Sequence, residues 1–391
     1  MKKQFFVYLF AALTLGGMVT SCSDDDNETV VVCPIEATTF NAENGLNLTY
    51  SGAPLLGKQV VFTPNSSDAT KATLVLSGVK FSVAGMPFEL PGTGVVPGEE
   101  STTLNLENIV INGDAISFEG VNEENGRKIE YKGSAKQGEL NLNLNVTMPE
   151  NALAGKTFNL LQFDSKKNAS PITMDWVADA KFPFMGTEWD VHSLLFMVQA
   201  TQLIEIEKGK KATLGEALNL VLNQVVFLKD GNIQAQYKDK PADADWKTSP
   251  LNFANYTVGE DGNLRLFINA EQIMAFEQSA SRAGFTDLIP TLIQTASKLM
   301  MEGVPVTVKE VDGVMQFYLD EKTLLPIVSL FKPLLQDADF VNKIVELLVK
   351  AAGPEMAPLV GAVVGPLLTS LPNIIDNTSM MHFGINTSVA Q

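Results

Sequence analysis

The chain carries two histidines, two cysteines and three tryptophans, so the side chains able to do chemistry can be weighed one at a time. His192 and His382 are far apart in sequence, and a metal site would need both to meet carboxylates such as Asp190. Neither sits in a metal-ligand spacing, and each imidazole reads as a structural or incidental side chain. Cys33 lies among Val31, Val32 and Pro34 with no base nearby in sequence, which is the setting of a packed thiol rather than a nucleophile. There is no Gly-x-Ser-x-Gly elbow, no phosphate-binding glycine loop and no Gly-x-Gly-x-x-Gly fingerprint. A hydrolase would need two carboxylates about 5–10 Å apart in a cleft. The densest aromatic–acid neighbourhood is Trp176, Glu188, Trp189 and Asp190, and Phe182, Pro183 and Phe184 beside it make it read as a loop packed on a core. Sugar binding has better material. Trp246, with Tyr237 and Tyr256, brackets a polar loop from Lys238 to Lys247, and an indole facing solvent there would stack on sugar C–H surfaces. Trp189 is a second such candidate. The competing reading has Trp246 anchoring the loop against a sheet. No cofactor and no metal is expected.

Charge narrows the partners. Lys and Arg number 28 against 45 Asp and Glu, a net charge of -17. Such a chain repels phosphate backbones, so no nucleic-acid partner is expected.

The first residues predict the address. Lys2 and Lys3 precede an apolar run, Phe5 to Leu15, and Val19-Thr20-Ser21 lead to Cys22. The run is too short for a membrane span of about 20 residues. It has the layout of a cleaved signal over residues 1–21. With the cysteine after Ser21 it resembles a bacterial lipoprotein signal, which implies that Cys22 becomes the first mature residue and carries lipid. Cys33 is then left without a disulfide partner. Ser23, Asp24, Asp25 and Asp26 follow at once, and this run resembles the acidic export signal of Bacteroidetes surface lipoproteins. That implies a lipid-anchored protein of the outer membrane, facing the cell exterior, with residues 22–35 as an acidic tether.

Two regions follow. Residues 36–150 read as an antiparallel β domain, a meander, barrel or sandwich. Leu140 to Val146 alternates apolar residues with Asn over its whole length, and Asn125-Gly126 and Asn112-Gly113 mark turns. Residues 151–391 read as a larger α+β domain. Amphipathic helices are predicted over Val191–Ile206 and Leu214–Val225, the second capped by Thr213 with Glu216 three residues on. Three Asp-Gly turns, at Asp230, Asp261 and Asp312, sit between apolar runs and predict hairpins. Helices fill the gaps, at 270–278, 286–301 and 321–335, then 340–352 and 355–371. Met356 to Ile375 carries no charge, but Pro358, Pro366, Pro372, Gly361 and Gly365 interrupt it, so a buried, kinked helix is expected. So much apolar helix beside curved sheet could line a hydrophobic cavity.

The layout resembles a family of uncharacterised Bacteroides surface lipoproteins with a calycin-like N-terminal β domain. The residues that carry this are Cys22 with its Asp run, Tyr50-Ser51-Gly52 leading to Gly57-Lys58, and Phe118-Glu119-Gly120 leading to Tyr131-Lys132-Gly133. Trp246, Ser249-Pro250 and Asn255-Tyr256-Thr257 add to it. The family implies a location and a fold, with no catalytic residues to carry over. The expectation is a non-catalytic binding or accessory lipoprotein for a glycan or another nutrient. The alternatives are a carrier or sensor of an apolar small molecule, and a hydrolase with an unrecognised carboxylate pair.

Overall fold

Alternation at period two builds the first half of the chain. The computed structural model describes residues 32–82, 89–90, 92–184, 186–259, 262–269, 272–273 and 301–390. The expectations for Cys22, Ser23, Asp24, Asp25 and Asp26, and most of those for helices at 270–278 and 286–301, fall outside those residues. The strands of the first half are β1 (Thr38–Phe40), β2 (Leu46–Tyr50), β3 (Ala53–Pro54), β4 (Lys58–Pro64), β5 (Ala72–Gly78), β6 (Phe81–Ser82), β7 (Glu89–Leu90), β8 (Ser101–Leu106), β9 (Val110–Asn112), β10 (Ala115–Glu124), β11 (Arg127–Lys136) and β12 (Glu139–Thr147). One sheet runs β1-β4-β5-β8 and another β3-β2-β12-β11-β10-β9. Both bury one face in a shared core. In β12, Leu140, Leu142, Leu144 and Val146 are buried, while Asn143 and Asn145 face solvent. On the wet face Asn47 Nδ2 donates to Asn141 at 2.9 Å and Thr49 Oγ1 to Asn143 at 2.7 Å. One pairing departs from the antiparallel expectation: β12 lies parallel to β2. The chain leaves β3 for the other sheet and returns by way of β8, so β12 reaches β2 by a long route, which a parallel pair requires.

The second half is built from β13 (Lys156–Leu160), β14 (Ile172–Ala178), β15 (Lys181–Phe184), β16 (Thr187–Asp190), β17 (Ile204–Glu207), β18 (Lys210–Ala212), β19 (Leu222–Phe227), β20 (Asn232–Tyr237), β21 (Lys247–Thr248), β22 (Ala254–Val258), β23 (Leu264–Ile268), β24 (Val304–Val311), β25 (Val314–Leu319) and β26 (Thr378–Val389). Eight of them, β13-β19-β20-β22-β23-β24-β25-β26, pair in turn and antiparallel. Strand β26 then pairs back to β13 through Phe158 with Val389 and Leu160 with Thr387. The ring is a closed eight-stranded antiparallel barrel. Strand β14 extends β26, and β21 extends β20. The whole is α+β and mostly β. The calycin-like expectation was placed on residues 36–150, yet the ring that closes is the one between Lys156 and Val389. Helices interrupt its strands in sequence, so its alternation is broken into hairpins and the closing pair is far from local.

Strand directions put the hairpin turns after β19, β22 and β24 at one end of the barrel, the turn end. The helices lie on connections that leave from the other, the helix end. Among the described residues these are α1 (Val191–Ala200), α2 (Leu214–Val221), α3 (Glu321–Ser329), α4 (Lys332–Leu335) and α5 (Ala338–Asp376). Asp190 caps α1 by accepting from the Ser193 amide at 2.7 Å. The Thr213–Glu216 capping box of α2 forms in both directions. Helix α5 runs from Ala338 to Asp376, but it cannot be straight. Gly361 lies within van der Waals reach of Val349, and Gly365 of Val345. Twelve residues of straight helix would span about 18 Å. Val349 and Val345 lie against Gly361 and Gly365, and α5 therefore has an outgoing and a returning arm. A Gly361-x-x-x-Gly365 stripe on the returning arm receives the two valines. The returning arm packs Val363, Leu367, Leu371 and Ile374 with Trp176, Phe182 and Leu194. Of the Met356–Ile375 stretch expected to be buried, Ile374 and Ile375 are buried, most of the other described side chains are half-buried, and Pro358, Ala362, Thr369 and Asn373 are exposed; on the outgoing arm Leu347 and Leu348 are exposed.

A buried polar junction ties the first half to the barrel. Asn252, fully buried with φ +67°, points its Nδ2 at the carbonyls of Tyr50, Ala53 and Pro54, at 3.3, 3.2 and 3.0 Å. Its own amide donates to Asn232 Oδ1 at 2.7 Å. Tyr50 Oη donates to the Asp230 carbonyl at 2.6 Å in the turn between β19 and β20. From Cys33 onward the described chain forms one compact unit.

Candidate functional site

Register fixes which side chains enter the barrel, because residues paired across a sheet share a face. Phe227 pairs with Ile233, which pairs with Ala254; Tyr256 pairs with Leu266, and Phe317 with Ile385. The inward rows follow by alternation. The middle and turn end are filled by Phe158, Phe227, Tyr256 and Phe317, all buried. Their rings meet edge to face at 5.6, 5.1 and 4.9 Å, and Phe227 stacks on Phe317 at 5.5 Å. Tyr256 Oη donates to the Leu228 carbonyl at 2.9 Å.

Burial pushes the Tyr256 phenol up to about 12, and pushes Tyr50 well above 10.0, with Asp230 and Glu99 adding to it. Both phenols therefore hold their protons more tightly when folded. The stability that Tyr256 contributes is complete below pH 10.0 and is lost as the pH rises through about 12, and Tyr50 acts in the same direction. In an alkaline titration the last phenolate absorbance is expected to rise together with loss of circular dichroism. Ionisation of Tyr50 and Tyr256 with the fold intact would contradict this packing.

The helix-end half differs. Leu222, Val225, Ala235, Ala254, Leu266 and Leu319 face inward, are apolar, and are only half-buried. Ile268, inward and opposite Ala254, is 44% exposed. A filled barrel would bury such positions as fully as it buries Phe158. Tyr237 is the polar side chain in this inward set on β19, β20 and β22–β25. It pairs with Leu222 on one side and Lys247 on the other, and its Oη makes no hydrogen bond to a described residue.

Of the four side chains predicted for ligand, Tyr237 alone lines this space at its rim. Tyr256 is part of the aromatic packing below it. Trp189 donates its Nε1–H to Thr187 Oγ1 at 3.1 Å and stands edge-on to Phe184 at 4.8 Å. Trp246 is 36% exposed, but Lys238 Nζ sits 4.7 Å over its ring and covers one stacking face. Beside it runs an open groove of about 510 Å3 lined by Asp239, Lys240, Asp243, Asp245 and Lys247.

No family model, curated protein or solved structure matches the chain.

The histidines come closer than their spacing suggested. His192 Nδ1 lies 2.8 Å from Asp175 Oδ1, and Asp175 pairs across the sheet with His382. His382 Nε2 is 3.6 Å from Glu321 and its ring lies against Tyr318. The partner of His192 is thus Asp175, while Asp190 serves the α1 cap. Among the described residues no three metal-ligating side chains converge on one point. Cys33 packs half-buried against the first core. The apolar inward set was missed in the sequence because alternation, clean in β20 with Ile233, Ala235 and Tyr237 on one face, marks which face is apolar and not whether that face encloses a space.

Proposed function

We propose that the protein is a non-catalytic binding protein, anchored to the outer membrane by lipid on Cys22, that takes an apolar small molecule into the helix-end half of a calycin-like barrel. One observation carries the reading: an inward wall of Leu, Val, Ala and Ile that stays only partly buried above a filled aromatic layer. Eight-stranded barrels have an interior wide enough for one small ligand, and a solvent-reachable apolar wall gains about 25 cal/mol per Å2 when a ligand covers it. The glycan reading is second. Its support is the groove beside Trp246, and Lys238 over the indole weakens it. For a hydrolase, a general acid needs a raised carboxyl; among the described residues Asp68, Glu139 and Asp190 are instead held low, chiefly by hydrogen bonds from Thr70, Lys136 and Ser193.

The test uses the full mature chain carrying Cys22→Ser, which needs no detergent. The apolar dye N-phenylnaphthylamine is expected to bind saturably at one site, with no signal on a polysaccharide array. A glycan hit without dye uptake would reverse the order of the two readings. The anchor is tested separately: Cys22→Ala is expected to move the protein from the membrane to the soluble fraction. Unchanged partitioning would end that part of the proposal.

A further inference from the structure

The head group of the ligand can be narrowed from the rim of the barrel. Granted the apolar-barrel reading above, we infer that the ligand is a single-chain amphiphile with an uncharged, hydrogen-bond-accepting head, an acyl ester or a long-chain alcohol, held at the rim by Tyr237 Oη and Lys247 Nζ. The chain must be slim. An eight-stranded barrel leaves room for one small ligand, and the aromatic layer already takes the turn-end half of that space. Below the rim, the described inward side chains of β19, β20 and β22–β25 in the helix-end half offer no charge and no hydrogen bond apart from Tyr237, so the buried part of the ligand is hydrocarbon.

The rim supplies two donors on one face. Tyr237 is half-buried at the end of β20, and its Oη makes no hydrogen bond to a described residue. Lys247 is its register partner on β21, so both side chains leave the sheet on the lumen side. Electrostatics then decides the head. The Lys247 ammonium is already paired with Asp239. The loop from Lys238 to Lys247 holds three lysines and three aspartates, so it presents no net positive field. A carboxylate would meet Asp239 at the same ammonium, on a chain of net charge -17. An ester carbonyl or a hydroxyl asks only for a hydrogen bond. An ammonium has three donors and Asp239 does not exhaust them.

Displacement of N-phenylnaphthylamine from the full mature chain carrying Cys22→Ser separates the possibilities. Monolauroylglycerol is compared with laurate at a pH well above the carboxyl range, in that protein and with Tyr237→Phe or Lys247→Gln added. The monoester is expected to displace the dye about tenfold more tightly than laurate, and Tyr237→Phe to weaken the monoester about fivefold, the scale of one hydrogen bond. The urea denaturation midpoint should stay the same in Tyr237→Phe, which marks the variant as folded. Laurate binding as tightly as the monoester, or a monoester affinity indifferent to both variants while the dye still binds, would overturn the head-group inference and leave the barrel reading standing. No dye uptake by the parent protein would overturn both.

Discussion

Ala235→Trp is expected to abolish dye uptake while leaving the fold in place. Ala235 points into the helix-end half from β20, opposite Val225 on β19. Its backbone is held on the other edge by Ser249, whose Oγ accepts from the Ala235 amide at 2.8 Å. An indole there can only go into the lumen. Into a filled core, that much added volume costs about 1–3 kcal/mol or more in forced rotamers and shifted backbone. Into an open space it costs little, and it gains by covering the partly buried leucines and valines. The two readouts therefore move in opposite senses. Dye affinity should fall by at least about tenfold, or 1.4 kcal/mol, and the denaturation midpoint should hold or rise. Lys309→Trp, on the outer face of β24 and exposed, should change neither. A large loss of stability in Ala235→Trp would mean that the space is not there, and the proposed function would fall with it.

What could be read in advance follows from the range of the interactions. The Leu140–Val146 alternation, the Thr213–Glu216 box and the three Asp-Gly hairpins each depend on residues a few positions apart. Each has the expected form in the described strands, with Asp261 outside them. Helix ends were less legible. The helix predicted through Ile206 stops at Ala200, and the one predicted through Val225 stops at Val221, because Ile204 and Leu222–Phe227 find strand partners that a helix count cannot anticipate. Closure of the ring by Leu160 and Thr387 was out of reach, since nothing local marks one strand for another so distant. The same limit acts at the site. Tyr237 and Tyr256 looked like a matched bracket around Trp246. Both do face inward, yet one is at the rim and the other in the aromatic layer. Height in a barrel depends on its stagger, which no single strand encodes.

Closure itself is testable at one atom. Gly384→Ala is expected to cost more than about 4 kcal/mol, in the range reserved for a broken core. Gly384 sits in the middle of β26, with Tyr318 of β25 on one side and Thr173 of β14 on the other. A Cβ added there would fall inside the carbonyl oxygen of Phe317 and lie 2.5 Å from the Cα of Tyr318. Both neighbours are backbone, so no rotamer change can give way. Either β25 moves off β26 or the methyl cannot be accommodated. Separation would sacrifice the ladder between those strands, and β26 is the strand that also closes the ring onto β13 and carries β14. Gly113→Ala is the contrast. Its φ is +65°, but nothing lies within 4 Å of the new methyl, so only the conformational cost of about 1 kcal/mol should appear. Urea denaturation of the two variants followed by circular dichroism gives the comparison. Equal midpoints would mean that β25 and β26 are not apposed at Gly384, and a barrel open at that seam could not hold the apolar wall in place.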